Sequence, residues 1–175
     1  MTERPPRGAA PACEPTGPAA GLAALLHGQR TAALATLDDD GAPQVSMVPF
    51  AVLPARACLV IHVSGLAAHT RHLQARPQVS LLVMQPERPG KPVHALPRAT
   101  LAGEATLPEI HSPTWLACRD AYLARFPEAR PMTQLGDFQF VAIELVRGRH
   151  IAGFGAARDV GEGELRELLV KDPAP

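Results

Sequence analysis

Short apolar segments separated by turn residues run along most of this chain. Alternation of apolar and polar residues predicts strands at 31–37, 44–53, 57–63, 78–85, 98–107, 138–146 and 150–154. Helical spacing of apolar residues predicts helices at 19–27, 64–76, 109–125 and 162–170. Tight turns are expected at Asp40-Gly41, where glycine accepts a positive φ, and at residues 147–149. The apolar phase shifts within 44–53, which suggests a bulge near Pro49.

This succession of elements favours a mainly β fold. Many short strands with hairpin-length connections are typical of a closed antiparallel barrel with peripheral helices. Closure removes unprotected sheet edges, and the chain offers too few helices for an alternating parallel sheet. We expect a disordered leader at 1–18, a barrel domain at 19–158 and a tail with a short helix at 159–175.

The charge balance excludes a general attraction to polyanions. Lys plus Arg and Asp plus Glu number 17 each, so no global field favours nucleic acid or an anionic membrane. No apolar run approaches the ~18 residues of a membrane span, and the N-terminus has no signal-peptide core, so the protein is expected in the cytoplasm.

The cysteines and histidines do not form a metal-binding pattern. Cys13, Cys58 and Cys118 are far apart and suggest neither a disulfide framework nor a metal site. His69 and His72 have helical spacing but no partner ligand nearby, so no metal site is expected. Nothing marks an activated nucleophile, and no catalytic residue is identified.

The segment at 64–73 has the pattern of an anion site, since a strand passes through Ser-Gly into a helix. Free N–H groups at a helix N-terminus bind phosphate, and Ser64, His69, Thr70 and Arg71 would add hydroxyl and cationic groups. Two plainer interpretations stay open. Ser64 suits a simple N-cap, and Arg71 falls opposite the apolar face of the helix, where arginines are normally solvated.

Several stretches in order along the chain carry the motifs of one known superfamily. They lie at 34–37, 40–41, 43–50, 64–73, 77–83 and 98–105. Together they resemble the pyridoxamine 5′-phosphate oxidase-like, FMN-binding split-barrel superfamily. Residues 122–129, 136–138 and 153–155 are similar to its branch of haem-iron utilisation proteins. The resemblance covers roughly residues 22–158.

The resemblance implies a homodimer of split barrels with flavin mononucleotide (FMN) at the interface. By position, the cofactor-binding residues would be Ser46 and Val48 beside the flavin, Ser64, His69, Thr70 and Arg71 around the phosphate, and Arg98 and Thr100 near the cofactor. The implied function is a flavin-dependent oxidoreductase acting on an unidentified small substrate, with FMN supplying the redox chemistry.

The chain also departs from the superfamily's best-known members. Ser46 and Ala51 stand where true pyridoxamine phosphate oxidases carry basic residues, and residues 172–175 lack their basic C-terminal motif. Oxidation of the B6 vitamer is therefore not expected. The Gly-Phe-Gly at 153–155 and the seven histidines motivate an alternative, a haem-binding or haem-utilisation protein without flavin. A third interpretation is a non-catalytic dimer.

Overall fold

The computed structural model describes residues 17–171, apart from the side chain of Pro18. The expected leader up to residue 16 and the last residues of the expected tail lie outside this range. The strands are β1 (Thr31–Leu37), β2 (Pro43–Leu53), β3 (Cys58–Ser64), β4 (Gln78–Met84), β5 (Arg98–Thr106), β6 (Phe138–Gly153) and β7 (Ala156–Gly161). The helices are α1 (Pro18–Gly28), α2 (Ala68–Ala75), α3 (Pro113–Arg125) and α4 (Glu162–Val170).

The strands close into an antiparallel barrel. Their order in the sheet is β3-β2-β1-β4-β5-β6-β7. A further pairing of β3 with β6 closes β1 to β6 into a ring. The last strand, β7, extends the sheet beyond the closed ring through its pairing with β6. The predicted split barrel is confirmed. Among residues 17–171 no helix combines the length and apolar character that crossing a membrane requires.

Two apolar clusters stabilise the barrel, one inside it and one under α3. Val48 and Phe50 of β2 point into the barrel, whereas Ala51 and Leu53 pack with the second cluster beneath α3. The apparent phase shift arises because Val45 and Met47 are apolar residues exposed on the outer face, whereas Val48 and Phe50 lie on the inner face. The bulge expected at Pro49 was wrong, because β1 and β2 pair without interruption from Thr31–Pro49 to Leu37–Pro43.

The region after residue 138 also differs from the prediction. Instead of two strands joined by a turn at 147–149, β6 continues from Phe138 to Gly153. A Cβ added at Gly148 would lie 2.9 Å from Leu101 Cδ2, so this glycine allows close packing against β5. The chain reverses instead at Gly155, which has a φ of +73°, and continues into β7, a strand missing from the prediction.

The first and last helices pack against each other and against the inner cluster of the barrel. Leu165, Leu168 and Leu169 of α4 are buried in the inner cluster with the leucines of α1. His27 Nε2 on α1 lies 3.1 Å from the Leu168 carbonyl oxygen, within hydrogen-bond distance. The helix predicted at 162–170 is thus part of the same core as the strands.

Candidate functional site

The polar groups at the corner between β3 and α2 form hydrogen bonds with a neighbouring loop. Helix α2 starts at Ala68, after the residues that follow Ser64, and Ser64 is not its N-cap. The Ser64 hydroxyl donates to Asp137 Oδ2 at 2.8 Å and accepts from the Leu66 N–H at 3.2 Å. The Gly65 N–H donates to the Asp137 carbonyl oxygen. The Ser64 hydroxyl and the Gly65 N–H, which the sequence assigned to a phosphate, therefore form hydrogen bonds with Asp137.

Three further residues predicted around the phosphate lie on α2 and diverge from one another. The Thr70 hydroxyl is buried and donates to the Ser64 carbonyl oxygen at 2.6 Å. His69 Nδ1 lies 3.1 Å from the Ser46 hydroxyl, and burial lowers the pKa of its imidazole. The Arg71 side chain is exposed. This corner is held together by internal hydrogen bonds.

The remaining predicted site residues are divided between the core and the outer surface. Val48 is only 3% exposed inside the barrel. Arg98 and Thr100 lie on the outer face of β5, where Arg98 Nη1 donates to the Leu96 carbonyl oxygen at 3.0 Å and Thr100 is exposed. Their cofactor-binding roles stay predictions.

Strand register builds a shallow floor of mostly small side chains on the outside of the barrel. The outward positions Ala35, Ser80 and Ala102 lie side by side on β1, β4 and β5. One step along the strands lies a second row: Ala33, Leu82 and Thr100. A cleft of about 670 Å³ lies over the first row and over Thr100 of the second, and its volume is within the ~300–1,000 Å³ typical of small-molecule sites. We refer to this cleft, with the floor and edges described here, as the outer groove.

The two edges of the outer groove differ in chemistry. Val45 and Met47 on β2, which pair with Ala35 and Ala33, are 69% and 68% exposed. On the opposite edge, Arg147 and Arg149 line the cleft from one face of β6, where the Cα atoms of alternate residues are about 7 Å apart. The groove thus has a neutral floor and a cationic edge, and the exposed apolar side chains of Val45 and Met47 lie on the strand beside it.

The two arginines differ in their partners. Arg149 Nη1 donates to Asp159 Oδ1 at 2.8 Å, while the Arg147 side chain forms no hydrogen bond or ion pair with any residue in 17–171. Arginine offers a planar set of donors that suits carboxylates. The groove is suited to a flat, largely apolar ligand that carries carboxylates on one side.

Sequence reasoning missed the arginines because residues 147–149 were assigned to a turn. The sequence did contain a signal for them: Arg147 and Arg149 are two residues apart, and such residues lie on the same face if the segment is a strand. The small outward residues of β1, β4 and β5 carried no comparable signal. In the described part of the chain, no three His, Cys, Asp or Glu side chains lie close enough to hold a metal ion.

Two proteins similar in sequence to this chain are named for haem. Residues 20–152 match the family model described as pyridoxamine 5′-phosphate oxidase. The chain is 31% identical over 142 residues to heme oxygenase HutZ of Vibrio cholerae, across 81% of this chain and 80% of that protein. It is 38% identical over 144 residues to the non-canonical heme oxygenase HOZ of Arabidopsis thaliana, across 80% of this chain but only 41% of that protein.

A solved structure agrees with these relatives. A heme binding protein from Mycobacterium smegmatis superposes with a TM-score of 0.77 at 27% identity, over 86% of this chain and 60% of that one. The chain therefore spans about three fifths of this structural relative. The expected likeness to the haem-iron utilisation branch is confirmed.

The prediction of FMN as the cofactor was wrong, and so was the flavoprotein oxidoreductase inferred from it. The relatives above are named for haem and not for flavin. Asp137 offers a physical reason, because its carboxylate already accepts from the Ser64 hydroxyl and its carbonyl oxygen from the Gly65 N–H. A phosphate placed there would compete for these donors and meet a like charge at close range.

Proposed function

The chain belongs to the pyridoxamine 5′-phosphate oxidase family, and from this premise we propose that it is a haem-binding protein, acting in haem utilisation without flavin. The observation that carries the proposal is the outer groove, with its floor of small side chains and its arginine edge. Relatives named heme oxygenase and heme binding protein support the same ligand.

The residues of the outer groove fit the chemistry of haem. Haem is a flat, apolar ring with two carboxylates on one edge, and its iron supplies redox chemistry when bound. The small residues Ala35 and Ala102 leave room for a ring over β1 and β5, and Thr100 offers a hydroxyl beside it. Arg147, free of internal partners among residues 17–171, and Arg149 would bind the carboxylates.

We further propose that two copies pair through this outer face in the cytoplasm, with the groove at their interface. The support is the exposed apolar edge of Val45 and Met47, since contiguous exposed apolar residues mark interaction sites. Light scattering should give a dimer for the wild type and a monomer for Met47→Asp. Leu66→Asp is the matched control, because Leu66 is 88% exposed on the turn before α2, and this variant should stay dimeric.

Titration with haem tests the ligand. The wild type should produce a Soret band that saturates at one haem per chain, and added FMN should leave the protein colourless. Ala102→Trp places an indole on the floor and should abolish the band, whereas Ala24→Trp on the exposed side of α1 should preserve it. A flat titration of the folded wild type, or equal binding by the two tryptophan variants, would contradict the proposal.

A further inference from the structure

The cationic edge of the outer groove also carries one acidic residue. Among residues 17–171, the charged side chains that line the cleft are Arg147, Arg149 and Asp159. Two positive charges and one negative charge leave this edge with a net charge of +1. A protein carboxylate at this position opposes a ligand that carries carboxylates, because like charges repel and both groups compete for the same guanidinium donors.

The register of β6 and β7 fixes the position of this acidic residue. Asp159 is paired directly with Arg149 across the two strands. Side chains directly opposite each other in an antiparallel pair have Cβ atoms about 4.5–5.5 Å apart, which is close enough for an ion pair. Arg149 Nη1 donates to Asp159 Oδ1 at 2.8 Å. One of the two arginines therefore already has a carboxylate partner within the chain.

Strand β7 is also anchored through its opposite face. Arg158 precedes Asp159, so the two side chains lie on opposite faces of the strand. The Arg158 guanidinium donates to both carboxylate oxygens of Glu164 on α4, at 2.8 and 2.7 Å. The strand pairs with β6 along its whole length. Asp159 is thus presented to Arg149 by a backbone that a neighbouring strand and a helix hold in place.

The two arginines of the groove therefore differ in what they can offer a ligand. The donors of Arg147 have no partner among residues 17–171 and are available to a ligand. The side chains of the Arg149–Asp159 pair are 57% and 84% exposed, and exposed ion pairs contribute little free energy. A ligand carboxylate at Arg149 would replace one exposed ion pair with another, so little affinity would be gained.

We propose that Asp159 is a specificity-determining residue of the outer groove, an inference that rests on the proposed function. By occupying Arg149, it leaves Arg147 to bind one carboxylate of the ligand, and a second carboxylate adds little to binding. Asp159→Asn retains the shape of the side chain, removes its charge and releases Arg149. In this variant the second carboxylate gains a cationic partner.

Soret titrations with haem, haem monomethyl ester and haem dimethyl ester test this assignment, because the three probes carry two, one and no free carboxylates on the same ring. The wild type should bind haem and the monomethyl ester with similar affinity. Asp159→Asn should bind haem roughly fivefold more tightly than the wild type, the upper range for an exposed ion pair, and should bind the dimethyl ester as the wild type does. Asp120→Asn is the matched control, because Asp120 forms another exposed ion pair at 2.8 Å, with Arg119 on α3, and this variant should bind all three probes as the wild type does.

A double variant, Arg149→Gln with Asp159→Asn, tests whether Asp159 acts through Arg149. It should lose the fivefold gain, and retention of the gain would overturn the role of Arg149. Unchanged or weaker haem binding by Asp159→Asn, or an equal gain for haem and its dimethyl ester, would overturn the inference while haem binding by the wild type still supports the proposed function. A folded wild type without a Soret band would instead contradict the proposed function, and the assignment of Asp159 would fail with it.

Discussion

Replacing Arg147 with glutamine should weaken haem binding without affecting the fold. The Arg147 side chain is exposed and has no partner among residues 17–171, so its loss should change the free energy of unfolding by no more than ~0.5 kcal/mol. A hydrogen bond to a charged group contributes about 1.5–3 kcal/mol, and exposure favours the lower value. At about 1.4 kcal/mol per factor of ten, the dissociation constant for haem should rise roughly tenfold.

The assay is a haem titration followed at the Soret band, at low and at high salt. Arg166→Gln is the matched control, because Arg166 is exposed on α4 and also lacks a partner among the described residues. The difference between the two variants should shrink at 1 M salt, where the screening length is only ~3 Å. Equal affinities for the two variants at low salt would refute the assignment of Arg147 to a haem carboxylate.

Further predictions concern the stability of the barrel. Gly103→Ala should destabilise it by about 1–3 kcal/mol in denaturant unfolding, because an added Cβ would lie 2.6 Å from a backbone oxygen of β6. The control Gly163→Ala should be neutral or stabilising, because a Cβ added there has no atom within 4 Å. Equal effects of the two substitutions on the free energy of unfolding would contradict this. Burial among aromatic rings lowers the pKa of His62 to about 4 from 6.5. Because the unfolded chain then binds a proton more readily than the folded protein, the free energy of unfolding should fall by about 3 kcal/mol as the pH drops from 7 to 4. A His62→Phe variant with the same dependence of stability on pH would contradict this. Ser112→Ala should lower the free energy of unfolding by about 1 kcal/mol, because the Ser112 hydroxyl caps α3 by accepting a hydrogen bond from the Trp115 N–H. An unchanged denaturation midpoint would contradict this role of Ser112.

The sequence predicted the elements whose signals are local. The strand at 31–37 and the helix at 162–170 have the expected bounds, because apolar periodicity and flanking glycines act within a few residues. The continuous β6 could not be predicted in the same way. An Arg-Gly-Arg sequence is typical of a turn, whereas here Gly148 pairs with Leu101 of β5, at a position where a Cβ would lie 2.9 Å from the Leu101 side chain.

The candidate site was harder to predict because its contacts join distant parts of the chain. Ser64 and Asp137 are 73 residues apart, and their hydrogen bond occupies the hydroxyl that the sequence assigned to a phosphate. The outer groove depends on the register of β1, β4, β5 and β6, which brings Ala35, Ser80, Ala102 and Arg147 together. Pairing partners on separate strands cannot be read from the periodicity of any one strand.

The most direct test is a crystal structure of the haem-loaded protein, with the iron located by its anomalous scattering. The account predicts one iron peak per chain over the floor formed by Ala35, Ser80 and Ala102, with the haem carboxylates directed towards Arg147. An iron peak in a second cleft, of about 570 Å³ beside Trp115 and Arg130, would contradict it, as would flavin density at the corner of Ser64.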